Sequence, residues 1–252
     1  MKGTHLLCAV AAVLASAACN ADKGNGSGNA QTQGELPAVQ RPADGDWSKV
    51  VTKTPEGGFL MGNTRAPIRL VEYGSMTCPH CREFDEVGAQ PLIDKYVKSG
   101  QVAYEFRNYV RDGFDLAATL IARCNGEKGF FPLTRALFHD QPTWLGKLQS
   151  TPQEQLQSLE TLPPQQVPVT AAKLAGFQDW AVMRGVPVAK STQCLTNQQE
   201  IDQLVQMTSN VASQFPDFRG TPSFTINGKL LEETATWDKL EPQIRNALGE
   251  RG

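Results

Sequence analysis

The sequence predicts an α/β domain split by a helical insertion, and three stretches carry that prediction. Between residues 68 and 109 an apolar run, an amphipathic segment of helical period and an alternating run follow one another, the pattern of a β-α-β unit. From residue 112 to about 208 the periodicity is helical, rich in Gln and Ala, with no convincing strand. Residues 221–248 then return to a short apolar run, an Asn227-Gly228 turn, a second short run and an amphipathic helix. The predicted organisation is therefore one α/β body from 47–111 and 209–252, interrupted by the insertion 112–208. With 252 residues, 40% of them apolar and 20% charged, the chain can bury a substantial core. A net charge of −2 lacks the basic surface that nucleic acid demands, so no nucleic-acid partner is expected.

Residues 1–18 combine Lys2, the apolar stretch Leu6 to Leu14 and the small residues Ala15-Ser16-Ala17-Ala18, the three parts of a secretory signal peptide. Export to the periplasm is expected. Cys19 follows directly, as at the lipobox of bacterial lipoproteins, and is the candidate lipidation site. Ser16 stands where a lipobox normally carries Leu, so plain cleavage after Ala17 or Ala18 competes with lipidation. Residues 19–46 are poor in apolar residues and rich in Gly, Asn and Gln, which predicts a flexible tether spanning ~30 Å root-mean-square. No later apolar run reaches the roughly 18 residues needed to cross a bilayer, so membrane contact is expected only through a lipid anchor at Cys19.

Trp47 to Val51 and Phe59 to Gly62 read as short edge strands around a Pro55-Glu56-Gly57-Gly58 turn. Ile68, Leu70, Val71 and Tyr73 read as a buried strand ending at Gly74-Ser75. Phe84, Val87, Gly88, Leu92 and Tyr96 recur at helical intervals, and Pro91 is expected to break or kink that helix after Gln90. Gln101 to Tyr109 alternates Val102, Tyr104 and Phe106 with Ala103, Glu105 and Arg107, a strand half facing the core. Within the insertion, Phe114 to Cys124, Phe130 to Phe138, Pro152 to Glu160, Thr170 to Met183 and Gln198 to Phe215 support helices, with prolines 163, 164, 168 and 187 at the joints. Thr221 to Asn227 is a strand turned into Lys229-Leu230-Leu231. Thr236 is placed to cap a last helix with Trp237, Leu240, Ile244 and Leu248 on its apolar face.

Chemistry concentrates at Cys78-Pro79-His80-Cys81, between the buried strand and the helix that follows it. Cys78 then sits at a helix N-terminus, where unpaired N–H groups and the positive end of the dipole favour a thiolate. Pro79 suits the first turn, and a protonated His80 would add positive charge beside the sulfur. Lowering the thiol pKa from about 8.5 to about 5.5 would stabilise the reduced form by ~2 kcal/mol at pH 7, roughly 40 mV. A zinc site would need a second Cys or His pair at short spacing, and the chain offers only isolated Cys124, Cys194 and His139. Neither a metal nor a cofactor is expected.

The motif after a strand resembles that of the DsbA family of periplasmic thiol oxidants, and the resemblance covers about residues 47 to 252. Glu72, six residues before Cys78, occupies the place of the buried acid of thioredoxin-like proteins, and Gly220-Thr221-Pro222-Ser223-Phe224 resembles their cis-proline loop. The resemblance implies a thioredoxin-like fold with an inserted helical subdomain. It implies that Cys78 and Cys81 are the redox pair, that Glu72 exchanges the proton of Cys81, and that a cis bond before Pro222 frees the Thr221 backbone to pair with an extended substrate. The implied protein is a monomeric exported thiol-disulfide oxidoreductase that introduces disulfides into reduced exported proteins and is reoxidised by a membrane redox partner. A disulfide isomerase or reductase uses the same motif, and Thr221 precedes the cis proline in isomerases as well as oxidases. A non-enzymatic chaperone or binding module would dispense with redox turnover. Cys124 and Cys194 are left as the remaining pair, expected as a structural disulfide, with two separately buried thiols as the alternative. Phe130, Phe131, Trp144 and Phe177 read as core, and His139 as a surface residue.

Overall fold

The computed structural model describes residues 36–250. The expected signal peptide (1–18), the candidate lipidation site Cys19 and the tether as far as residue 35 lie outside the described residues. The end of the predicted tether, 36–46, is held to the body: Thr64 Oγ1 donates to the Pro37 carbonyl at 2.9 Å, the Asp44 carboxylate pairs with Lys49, and Asp46 accepts from Ser48.

Six strands form one sheet: β1 (Val51–Lys53), β2 (Phe59–Met61), β3 (Ile68–Gly74), β4 (Val102–Asn108), β5 (Ser223–Ile226) and β6 (Lys229–Leu230), in spatial order β1-β2-β4-β3-β5-β6. Only β3 and β4 run parallel; the other neighbours are antiparallel. The β3–β4 crossover contains α1 (Pro79–Phe84) and α2 (Gln90–Leu92). Eight helices lie between β4 and β5: α3 (Gly113–Arg123), α4 (Gly126–His139), α5 (Gln141–Gln149), α6 (Gln153–Ser158), α7 (Val167–Ala175), α8 (Phe177–Val182), α9 (Val188–Leu195) and α10 (Gln198–Gln214). The chain closes with α11 (Trp237–Ala247).

Alternation along the strands puts Leu70, Tyr104, Phe106, Phe59 and Phe224 on one face, where they meet Phe84, Leu120, Phe130, Phe138, Leu240 and Ile244 in one apolar core. Phe59 stacks on Phe130 at 4.2 Å between ring centroids, which ties the insertion directly to the sheet. On the opposite face Val71 and Tyr73 pack with Val211 and Phe215 at the end of α10.

Several elements differ from the sequence expectation. Trp47–Lys49 is a single 3-10 turn whose Asp46 carboxylate accepts from Ser48 N–H, and the strand starts only at Val51. Pro91 does not break its helix: wide turns of i to i+5 bonding over Asp85–Ala89 and Ile93–Val97 flank it, and absorb the hydrogen bond that proline cannot make. All seven residues of β4 are buried, rather than alternate ones. Its polar side is covered because Glu105 accepts from Thr54 Oγ1 (2.7 Å), Arg69 Nη2 (2.7 Å) and Arg107 Nε (2.8 Å), so the charges are mutually satisfied. Gly176, at φ +76°, splits the helix expected over 170–183 into α7 and α8. The sequence pattern does not predict helices α5 and α9, and the expected end of the insertion at 208 falls inside α10, which runs on to Gln214. Thr236 occupies the position before α11, yet its hydroxyl makes no capping bond. Cys124 and Cys194 are bonded to each other, Cα atoms 5.6 Å apart, joining the end of α3 to α9. Among the described residues no helix is long and apolar enough to cross a membrane.

Candidate active site

Strand β3 delivers the motif to the edge of the core. Ser75–Thr77 turn the chain, Cys78 stands at the N-cap of α1 with extended backbone (φ −83°, ψ 121°), and Pro79 fills the first helical position. Cys78 and Cys81 are free thiols in this structure. Cys81 is fully buried, and Ser75 N–H points at its sulfur from 3.4 Å. Cys78 is only 3% accessible, less open than a helix-terminal position suggests, because the Thr221–Pro222 loop lies against it. That peptide bond is cis, and the Thr221 carbonyl oxygen is 3.1 Å from Cys78 Sγ.

The two sulfurs have opposite acid strengths. A hydrogen bond from the Cys81 thiol, then the Thr221 side chain and the backbone N–H groups of Cys81 and His80, pull the Cys78 pKa down to about 5 against the opposing effect of burial. Burial, the bond given to Cys78 and the nearby Glu72 push Cys81 well above the usual thiol range. His80 therefore acts through its backbone; its ring is 72% exposed and faces Glu83 Oε2 at 3.4 Å, not the sulfur as the sequence suggested.

Glu72 points into the core and is 1% exposed. Burial raises its pKa to about 8, moderated by a hydrogen bond of 2.5 Å from Tyr104 Oη. A neutral carboxyl is thus stored near Cys81. Asp85, one helical turn beyond Cys81, is also raised by burial and is paired with Arg135 of α4 at 3.5 Å.

Sequence reasoning missed Tyr104, Asp115 and Gln141. Asp115 of α3 is fully buried and accepts from Ser75 Oγ (2.6 Å), Met76 N–H (2.8 Å) and Arg111 N–H (3.0 Å); burial raises its pKa to about 7. Gln141 of α5, 1% exposed, donates from Nε2 to the carbonyls of Met76 (2.7 Å) and Cys78 (3.0 Å). Asp115 reads in the sequence as a polar residue inside a helix, which ordinarily means solvent; Gln141 opens a helix that the sequence pattern does not predict, and Tyr104 reads as one more core-facing residue of its strand. Phe130, Trp144 and Phe177 are buried in the core, while His139 is exposed beside Asp140. Two open grooves flank the motif. One of about 230 Å³ is lined by His80, Phe84, Val87 and Trp237, and one of about 480 Å³ by Thr221, Pro222, Leu231 and Glu233.

A sequence profile of the thioredoxin family matches residues 54–246. The protein-disulfide isomerase of Novosphingobium aromaticivorans is 35% identical, with 76% of this chain and 97% of that one superposed at a TM-score of 0.72. Wolbachia pipientis alpha-DsbA1 shares the fold at 21% identity, over 76% of this chain and 90% of its own, with a TM-score of 0.58. Proteins of Rickettsia prowazekii and Rickettsia felis, provisionally named protein-disulfide oxidoreductases, are 27% identical over 80% of this chain and 29% over 81%. The chain spans 65% and 64% of the length of these two relatives. Matches that run through the sheet, the Cys78-Cys81 turn and the helical insertion establish that the chain belongs to the thioredoxin family and has a DsbA-like architecture.

Proposed function

We propose that the chain is an exported thiol-disulfide oxidoreductase that introduces disulfides into reduced periplasmic proteins through Cys78 and Cys81. The observation that carries this reading is the Cys78 thiol, held at about 5 beside a Cys81 thiol that stays protonated. A pKa of about 5 in place of about 8.5 favours the reduced pair by roughly 3 kcal/mol at pH 7, which makes the disulfide about 60 mV more oxidising.

In the oxidised enzyme a substrate thiolate attacks Cys78 Sγ; the Cys78–Cys81 bond breaks, and its electron pair goes to Cys81. Cys81 takes the proton stored on Glu72, so the mixed disulfide is not simply reversed. A second substrate thiolate attacks the substrate sulfur of the mixed disulfide, and Cys78 leaves as a thiolate that is stable at neutral pH. The substrate has then lost two electrons to the cysteine pair. The cis loop at Thr221-Pro222 offers a backbone edge on which an extended substrate can lie beside Cys78. Reoxidation falls to a membrane redox partner, and the working unit is a monomer. A signal peptide over residues 1–18 and lipidation at Cys19 would place it at a periplasmic membrane surface, on the tether ending near residue 46.

Disulfide isomerisation is the second reading, favoured by the name of the Novosphingobium relative. Equilibration with glutathione buffers tests the first. We expect a potential far more positive than the roughly −270 mV of thioredoxin, and a value close to it would make the chain a reductase. Faster reactivation of scrambled ribonuclease than of reduced ribonuclease would select the isomerase.

A further inference from the structure

The helical insertion reaches the nucleophile loop through two side chains from separate helices. Gln141, the first residue of α5, uses both hydrogens of one amide nitrogen, one on the Met76 carbonyl at 2.7 Å and one on the Cys78 carbonyl at 3.0 Å. The two carbonyls straddle Thr77, so one amide closes like a pincer around the turn that presents Cys78. Asp115 of α3 grips the other side, accepting from Ser75 Oγ at 2.6 Å and Met76 N–H at 2.8 Å. Neither side chain is more than 1% exposed, so water does not compete for these bonds.

The geometry they hold is the geometry that acts on both sulfurs. Ser75, bound by Asp115, aims its N–H at Cys81 Sγ. The Cys78 carbonyl, bound by Gln141, also accepts Arg82 N–H at 3.3 Å, the bond that opens α1. The backbone N–H groups of His80 and Cys81, which stabilise the Cys78 thiolate, lie in that same first turn. Hydrogen bonds to a thiolate weaken steeply with misalignment, so a loop free to roll would lose them. We propose that Gln141 and Asp115 are positioning residues through which the insertion clamps Ser75–Cys78 and thereby sets the proton affinity and redox poise of Cys78. The inference rests on the reading of Cys78 as the nucleophile. It makes the insertion a working part of the redox centre.

Gln141→Met keeps the length of the side chain and removes both donors; Asp115→Asn keeps one acceptor oxygen and replaces the other with a donor that cannot accept from its partners. In the full chain, thiolate absorbance of reduced protein should titrate about one pH unit higher in Gln141→Met, a tenfold smaller thiolate-to-thiol ratio on the acid side. Asp115→Asn should move the midpoint in the same direction. With a pKa raised to about 7, the Asp115 carboxyl is already uncharged over the range in which Cys78 titrates, so a shift in this variant reports lost positioning and not a lost charge. Both variants should also equilibrate with glutathione at a more reducing potential. Folded variants that melt at lower temperature but titrate and equilibrate like wild type would reduce the two residues to packing and overturn the clamp. Should Gln141→Met fail to fold, the Gln141 side-chain amide resonances of the wild type decide. They should shift with the midpoint of Cys78, and invariance through that titration overturns the proposal. A chain that oxidises no protein yet shows these shifts keeps the clamp and removes the proposed function.

Discussion

Glu72 couples the stability of the centre to pH. It is buried beside Cys81 and held near a pKa of about 8, with Tyr104 as its hydrogen-bond donor. The folded value lies above the ordinary 4.5, so its contribution to stability is complete below pH ~4.5 and disappears as pH rises through about 8. By pH 7 that loss amounts to roughly 3 kcal/mol. Glu72→Gln, which still accepts from Tyr104, should therefore match wild type in urea unfolding at pH 4 and exceed it at pH 7.5. The same variant should accumulate less mixed disulfide, since without a proton from residue 72 Cys81 stays a thiolate that attacks Cys78 and expels the substrate again. Equal stability at both pH values would show that Glu72 is ionised without penalty and stores no proton.

At the scale of an element, β4 illustrates how a polar-apolar alternation can be buried on both sides. Tyr104 and Phe106 face the large core, while Glu105 and Arg107 face α10 and close a charged network with Arg69 and Thr54. Arg69 and Arg107 side chains are 13% and 7% exposed, so the network has little access to water. Removing its anionic centre leaves two buried guanidinium groups poorly compensated, with Glu56 at 3.3 and 3.6 Å as the remaining carboxylate. Glu105→Ala should cost about 3 kcal/mol in chemical denaturation, near the low end for a broken buried pair. A cost under about 1 kcal/mol, the range of exposed pairs, would mean that the network is hydrated and β4 half open as its sequence suggested.

For the whole molecule, the acidity of Cys78 couples redox state to stability. Its folded pKa of about 5 lies below the ordinary thiol value, so the reduced form gains stability that is complete above about pH 8.5 and is lost as pH falls towards 5. The disulfide form has no such group, and Glu72 is present in both. Reduced protein should thus melt above oxidised protein at pH 8, with the gap narrowing steadily down to pH 5. A gap that does not change with pH, measured by calorimetry on both redox forms, would place the Cys78 pKa at its ordinary value and remove the basis of an oxidising disulfide.

By itself the sequence determined the β-α-β unit, the position of Cys78 at a helix start and the Asn227-Gly228 hairpin, while the inward place of Glu72 followed from the family resemblance. Each of the first three depends on residues within a turn or a strand of one another, where periodicity and backbone preference report directly on structure. It did not reveal Tyr104, Asp115 or Gln141, nor that β4 is covered on both faces. Those roles depend on contacts 32, 40 and 65 residues apart in the chain. A polar side chain in a local pattern reads as solvent-facing, and only packing of the insertion against the sheet removes the water and supplies Glu72, Ser75 and the Met76 and Cys78 carbonyls as partners. The tertiary structure therefore decided which polar residues serve the sulfurs, because burial and long-range pairing exist only once the two halves of the sheet and the insertion have come together.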